Sequence, residues 1–180
     1  MGIYRPELWR DLYVMLGTSS AALLGLLFVV TSLHLDEIVS NPVYRTRARV
    51  NSIFLLVTLV EAALVLTPQP MELLGLELII VNLFGWSFPL RNTYRYHIRN
   101  RALGQVGGLS VYRAVTFHAC FAAAVAGGAA LMQGASFGLY LVAASYIALL
   151  VAVAMNAWSI MLGIGQDENL AKERSEKQGR

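Results

Sequence analysis

LVTLVEAALVLTPQPMELLGLELII, residues 56–80, decides the fold of this chain. Two apolar runs meet at a short segment, TPQPM at 67–71, in which Pro68 and Pro70 each remove a backbone donor and fix a backbone dihedral. Neither run alternates apolar with polar residues as a barrel strand would, so the stretch reads as two membrane helices joined by a tight prolyl reversal. Yet Glu61, Glu72 and Glu77 interrupt it. Hydrocarbon does not solvate carboxylates, and their presence needs a reason.

The rest of the chain extends this reading. Of its 180 residues, 57% are hydrophobic and only 14% charged, and the mean hydropathy of +0.57 is too high for an ordinary soluble domain. The expectation is an all-α, polytopic membrane helical bundle with five transmembrane helices at about 12–34, 50–67, 72–90, 111–132 and 137–162. At a rise of about 1.5 Å per residue, each run crosses or nearly crosses a hydrocarbon layer of roughly 30 Å. If residues 12–34 entered and left by one face, four true spans would remain. Residues 1–163 form the membrane domain and 164–180 a polar tail. The amino-terminal sequence lacks the pattern of a removable signal peptide, so the first apolar segment is expected to be retained, and Gly2 lacks the serine or threonine context of myristoylation.

Charge sets direction. Arg45, Arg47 and Arg49 lie in one connector and Arg91, Arg95, Arg99 and Arg101 in another, whereas 67–71 and 133–136 carry no Lys or Arg. The positive-inside rule puts both arginine-rich connectors and the tail inside and the amino terminus outside, with a bacterial inner membrane as the expected location. The net charge of +3 and pI near 9.2 then reflect orientation rather than nucleic-acid binding. Arg91, Arg95, Arg99 and Arg101 flank Tyr94, Tyr96 and Ile98, a pattern suited to anionic lipid headgroups at the bilayer surface.

Glu61 lies about five residues before the turn and Glu77 about five after the third span begins, so both sit roughly 8 Å below the outer boundary. Glu72 falls at headgroup level. Asn51, Thr58 and Glu61 share one face of the second span, and Thr18, Ser19 and Ser20 reach a similar depth in the first. Two nearby carboxylates disfavour double ionisation and could share a proton. Deeper in, Asn82, His118 and Asn156 offer continuation points, with Arg113 at the inner boundary. Two readings stand side by side: an ion or proton path through Glu61, Glu77, Thr18, Ser19, Ser20, Thr58, Asn82, His118 and Asn156, or a satisfied polar cluster that bridges helices.

Small residues recur every fourth position at Gly17, Ala21 and Gly25, at Ala119, Ala123 and Gly127, and at Ala144, Ala148 and Ala152, so these faces are expected to pack closely. No internal repeat is evident. Enzymatic chemistry has little encoding: His34, His97 and His118 are dispersed, Cys120 is two residues from His118 and so on another side of the helix, and no cofactor-binding glycine pattern occurs. No metal is identified. The leading expectation is a small ion-transport protein, a cation or proton channel rather than a complete alternating-access transporter, acting alone or as a homo-oligomer. A noncatalytic assembly or regulatory protein, whose polar residues bind a membrane protein partner, is the alternative.

Overall fold

A computed structural model describes the backbone of residues 6–101 and 108–178. Six helices follow one another: α1 Pro6–Leu33, α2 Leu35–Ser40, α3 Pro42–Leu66, α4 Met71–Arg101, α5 Gly108–Met132 and α6 Gly138–Gln178. No strand occurs among the described residues. Five of the helices are long and apolar enough to cross a membrane: Glu7–Leu33, Pro42–Leu66, Met71–Arg91, Ala114–Met132 and Gly138–Gly163. Because α1 is one continuous helix of 28 residues, about 42 Å long, the first segment does not turn back on itself.

Local chemistry explains most of the boundaries. Asn41 caps α3 by accepting from the Val43 amide at 3.0 Å, and Pro42 occupies the first helical turn, where a missing donor costs nothing. The connector expected at 36–49 is therefore mostly helical, with α2 followed at once by the first turns of α3. At the carboxyl end of α3, Thr67 leaves helical geometry and the two prolines enforce the break. Between α5 and α6 the chain reverses through Gly134, whose φ of 75° lies in the left-handed region open to glycine. The Gly134 and Ala135 amides donate back to the Leu131 and Ala130 carbonyls, which closes the end of α5.

Helices α4 and α6 outrun the bilayer. The backbone of α4 continues through 92–101, past a buried Pro89 near the carboxyl end of the span, so the arginine-rich segment extends a helix rather than forming a loop. Arg91 is exposed there; the side chains of Arg95, Arg99, Arg101 and Arg113 lie outside the described ones. The backbone of α6 likewise stays helical into the expected tail, whose side chains beyond 165 also lie outside the described ones.

Large apolar side chains face outward on every span, including Phe28, Val60, Phe84, Val115 and Met155. This surface suits lipid tails and not water. The interior has one apolar cluster toward the prolyl turn, around Tyr13, Leu74, Leu131 and Tyr146, and another toward the opposite end, around Phe54, Phe117, Phe121 and Val153. Helix α1 packs most extensively on α3, and α5 packs on both α4 and α6.

The glycines that permit these contacts differ from the expected small-residue faces. Ala21, Gly25, Ala119, Ala144 and Ala148 are exposed, and a Cβ on Gly25 would meet nothing. Close approach occurs at Gly75 against Gly128 and at Gly127 against Gly138, with Gly17 resting on the Ala62 methyl. A fourfold spacing marks one helical stripe but does not say whether that stripe meets a helix or a lipid. A Cβ at Gly75 would stand 2.6 Å from the Gly128 carbonyl oxygen and 2.8 Å from the Met132 amide, both backbone atoms that cannot swing aside. Gly75→Ala is accordingly expected to destabilise the bundle by about 1–3 kcal/mol, whereas Gly25→Ala should stay within about 0.5 kcal/mol. Reversible unfolding in mixed detergent micelles measures both.

Candidate functional site

A column of buried polar residues runs along the contact between α3 and α6. Asn51, Thr58 and Glu61 come from α3, Ser145 and Asn156 from α6, Asn82 from α4 and Ser20 from α1. Glu61, at 0% exposure, is the only acidic or basic residue among the described buried ones.

One hydrogen bond sets the register. Asn156 donates from Nδ2 to Asn51 Oδ1 at 2.7 Å, toward the end of the bundle away from the prolyl turn. From that pair, ten residues outward along α3 reach Glu61, and ten residues back along the antiparallel α6 reach Tyr146. Both steps rise about 15 Å, so the carboxyl and the tyrosine arrive at the same level. The Tyr146 hydroxyl is the polar group that faces the Glu61 carboxyl, although neither carboxyl oxygen completes a hydrogen bond of good geometry.

Asn82 reaches this pair from α4. Its Nδ2 donates to the Leu78 carbonyl at 2.8 Å and to the Tyr146 hydroxyl oxygen at 3.3 Å. A carbonyl can only accept, which fixes the amide orientation and leaves Asn82 Oδ1 unpartnered. Tyr13 of α1 lies behind Tyr146 and its hydroxyl donates to the Leu139 carbonyl at 3.4 Å. Ser20 Oγ and Asn51 Nδ2 are also buried without partners. Thr58 instead donates to the Phe54 carbonyl at 3.0 Å in its own helix. Buried polar atoms are nearly always satisfied by protein, water or an ion, so the unpartnered oxygens of Glu61 and of Asn82, which joins the same Tyr146 hydroxyl, point to an occupant.

The two glutamates have separate environments. Glu77 is half-buried, and its Oε2 accepts from Gln69 Nε2 at 2.9 Å; the same nitrogen donates to the Leu64 carbonyl at 3.1 Å. Gln69 thereby staples the prolyl turn to both helices. No hydrogen bond joins Glu61 to Glu77. Glu72 is exposed, in keeping with a place in the headgroup layer. Of the three α1 hydroxyls expected at this depth, Thr18 is exposed, Ser19 is half-buried and only Ser20 turns fully inward.

His118 belongs to another contact. Its Nδ1 receives the Trp86 indole N–H at 2.7 Å, and its Nε2 lies 3.2 Å from Thr93 Oγ1. Indole only donates, so Nδ1 carries no proton and the ring is the Nε2–H tautomer, donating to Thr93. His118 therefore clamps α5 to α4 between two neighbours. Cys120 is buried and free. No group of three or more His, Cys, Asp or Glu residues that could hold a metal occurs among the described residues.

Tyr146, Tyr13 and Gln69 escape a search for polar residues in apolar runs, because tyrosine counts as hydrophobic and Gln69 sits in the turn. A signal for Tyr146 does exist. Leu139, Val142, Tyr146, Leu149, Val153 and Asn156 recur at steps of three and four residues and are all buried, so tyrosine and asparagine lie on one seam.

No protein-family model, curated protein or solved structure matches this chain.

The asparagine pair yields a thermodynamic expectation. Asn51→Leu should cost about 1–3 kcal/mol because the Asn156 amide loses its acceptor in a buried site. The double variant Asn51→Leu/Asn156→Leu should be less destabilised than the two single changes summed, as a double-mutant cycle of unfolding free energies will read.

Proposed function

We propose that this polytopic helical membrane protein moves protons or small cations across the bilayer, with Glu61 as the exchanging group. What carries the reading is a single carboxyl fully enclosed within the bundle, about five residues from the prolyl turn, with both oxygens unpartnered and no basic side chain among the buried residues described. An anionic carboxylate in that setting needs a compensating positive charge. A proton or a small cation supplies it, and exchange of that charge between the two faces is transport.

The other residues take graded roles. Tyr146 and Asn82 hold the carboxyl's polar surroundings. Asn51 and Asn156 extend the column toward the inner face, and Glu77, half-buried beneath the prolyl turn, stands on the outer approach. His118, satisfied at both ring nitrogens, acts in helix packing. In a bacterial inner membrane, the arginine-bearing ends lie inside and the prolyl turn outside, with Arg91 and the cationic end of α4 against anionic headgroups.

A second reading draws on the close packing around the same groups. Val57, Ala62, Leu74 and Leu78 bury the flanks of the polar column, and a dry polar contact of this kind can hold a helix for assembly with a membrane protein partner. Ion flux separates the two.

Proton- and cation-resolved flux in proteoliposomes is expected to fall about tenfold or more in Glu61→Gln, a barrier increase of about 1.4 kcal/mol or greater. Glu77→Gln, which alters the turn staple rather than the enclosed acid, should lower it far less. Equal flux in well-folded wild type and Glu61→Gln rejects transport through Glu61, and stoichiometric capture of one membrane partner without flux supports assembly. Orientation is read in a Cys120→Ala background: Thr67→Cys should label only from outside and His97→Cys only from inside. Labelling of both from one face rejects the topology.

A further inference from the structure

We propose that the Glu61–Tyr146 contact is a binding site for a monovalent alkali cation, which competes with the proton for the Glu61 carboxylate. This rests on the transport reading above and names the ions that share the site.

Three observations converge on it. The available ligand atoms are all oxygens, namely the two of the Glu61 carboxyl and the Tyr146 hydroxyl facing it. Oxygen ligands of this kind suit hard cations and not soft transition metals. The charge count then selects valence. One carboxylate is the whole buried negative charge among the described residues, so a monovalent ion leaves the site neutral, whereas a divalent ion would leave an uncompensated positive charge in a low-dielectric interior. Finally, the hydrogen-bond inventory admits two states. Asn82 occupies one lone pair of Tyr146 Oη through its Nδ2, and the phenolic O–H remains free to rotate. It donates to the carboxylate when Glu61 is charged, and its second lone pair accepts from the acid when Glu61 is neutral.

Ser20 of α1 brings a further buried, unpartnered oxygen close to this level. The contact of Gly17 with Ala62 sets the register of α1 on α3, and one turn inward it brings the unpartnered Ser20 Oγ level with the residues just inward of Glu61. Water can complete the shell around an ion at such a site. The exchange is balanced: the carboxylic acid releases its proton as the alkali cation enters, and the proton's return expels the cation. Occupancy is therefore mutually exclusive, which makes the coupled event an exchange of one cation for one proton.

The groups facing this carboxyl are few. Tyr146 comes from α6, Tyr13 of α1 lies behind it, and α4 brings the non-titrating Asn82. Glu77 on α4 is held by Gln69. From α5, the apolar cluster that includes Tyr146 takes Ala124 and Leu131, which carry no titratable group.

Equilibrium binding of radioactive sodium and rubidium to the intact protein in lipid nanodiscs tests the site. The expected result is one saturable site per chain at alkaline pH, with one proton released per ion bound. Competition makes the apparent Kd rise by up to about tenfold for each unit of acidification. Glu61→Gln should abolish binding, while Tyr146→Phe, which deletes one oxygen atom, and Ser20→Ala should each weaken it about tenfold. Binding that ignores pH or survives Glu61→Gln overturns the proposal. Absence of sodium and rubidium binding in protein whose proton flux still depends on Glu61 also overturns it, and leaves proton transport standing.

Discussion

The contact between α3 and α6 is the constraint from which the interior follows. Two asparagines meet near its inner end at 2.7 Å, and in hydrocarbon such a pair has no water to fall back on, so sliding one helix against the other would strand both amides. Once that register is held, antiparallel geometry does the rest. Equal ten-residue steps along the two helices deliver Glu61 and Tyr146 to a common level. A shift of one turn on either helix would leave the carboxyl against aliphatic side chains.

The other helices close the site from the sides. Glycine contacts let α4 approach α5, and α5 approach α6, to backbone distance, and that closeness lets the short side chain of Asn82 reach the Tyr146 hydroxyl from α4. Gln69 pins the outer turn to Glu77, and the Trp86–His118–Thr93 bridge pins α4 to α5 farther in. Polar clamps at both ends of α4 therefore flank the apolar contacts between. Glu61 stands apart from them, because each clamp is closed by side-chain hydrogen bonds and neither Glu61 oxygen has a partner. This contrast is the physical basis for reading the clamps as structure and the acid as function.

Pro89 shows how the same helix serves two environments. It removes a backbone donor where the span ends, yet α4 continues as a helix toward the arginines, so the cationic segment is carried on the end of a membrane span. Arg91 is exposed at that junction, at the level where headgroup phosphates would lie.

Composition, apolar run length and the prolyl turn were enough to read an all-helical bundle with five spans, because satisfying every backbone group in lipid leaves so few solutions. The arginine pattern marked which connectors share a face. Equal spacing from Pro68 and Pro70 also placed Glu61 and Glu77 at one depth. What those patterns lacked was rotation about each helix axis. Rotation depends on contacts between residues as distant as Asn51 and Asn156, and it alone turned Glu61 inward toward Tyr146, left Glu77 to Gln69, faced Thr18 outward and Ser20 inward, and chose Gly75 and Gly128 over Ala21 and Gly25 as packing surfaces. Depth follows from distance along a single helix, whereas facing is settled only when several helices bury their side chains against one another.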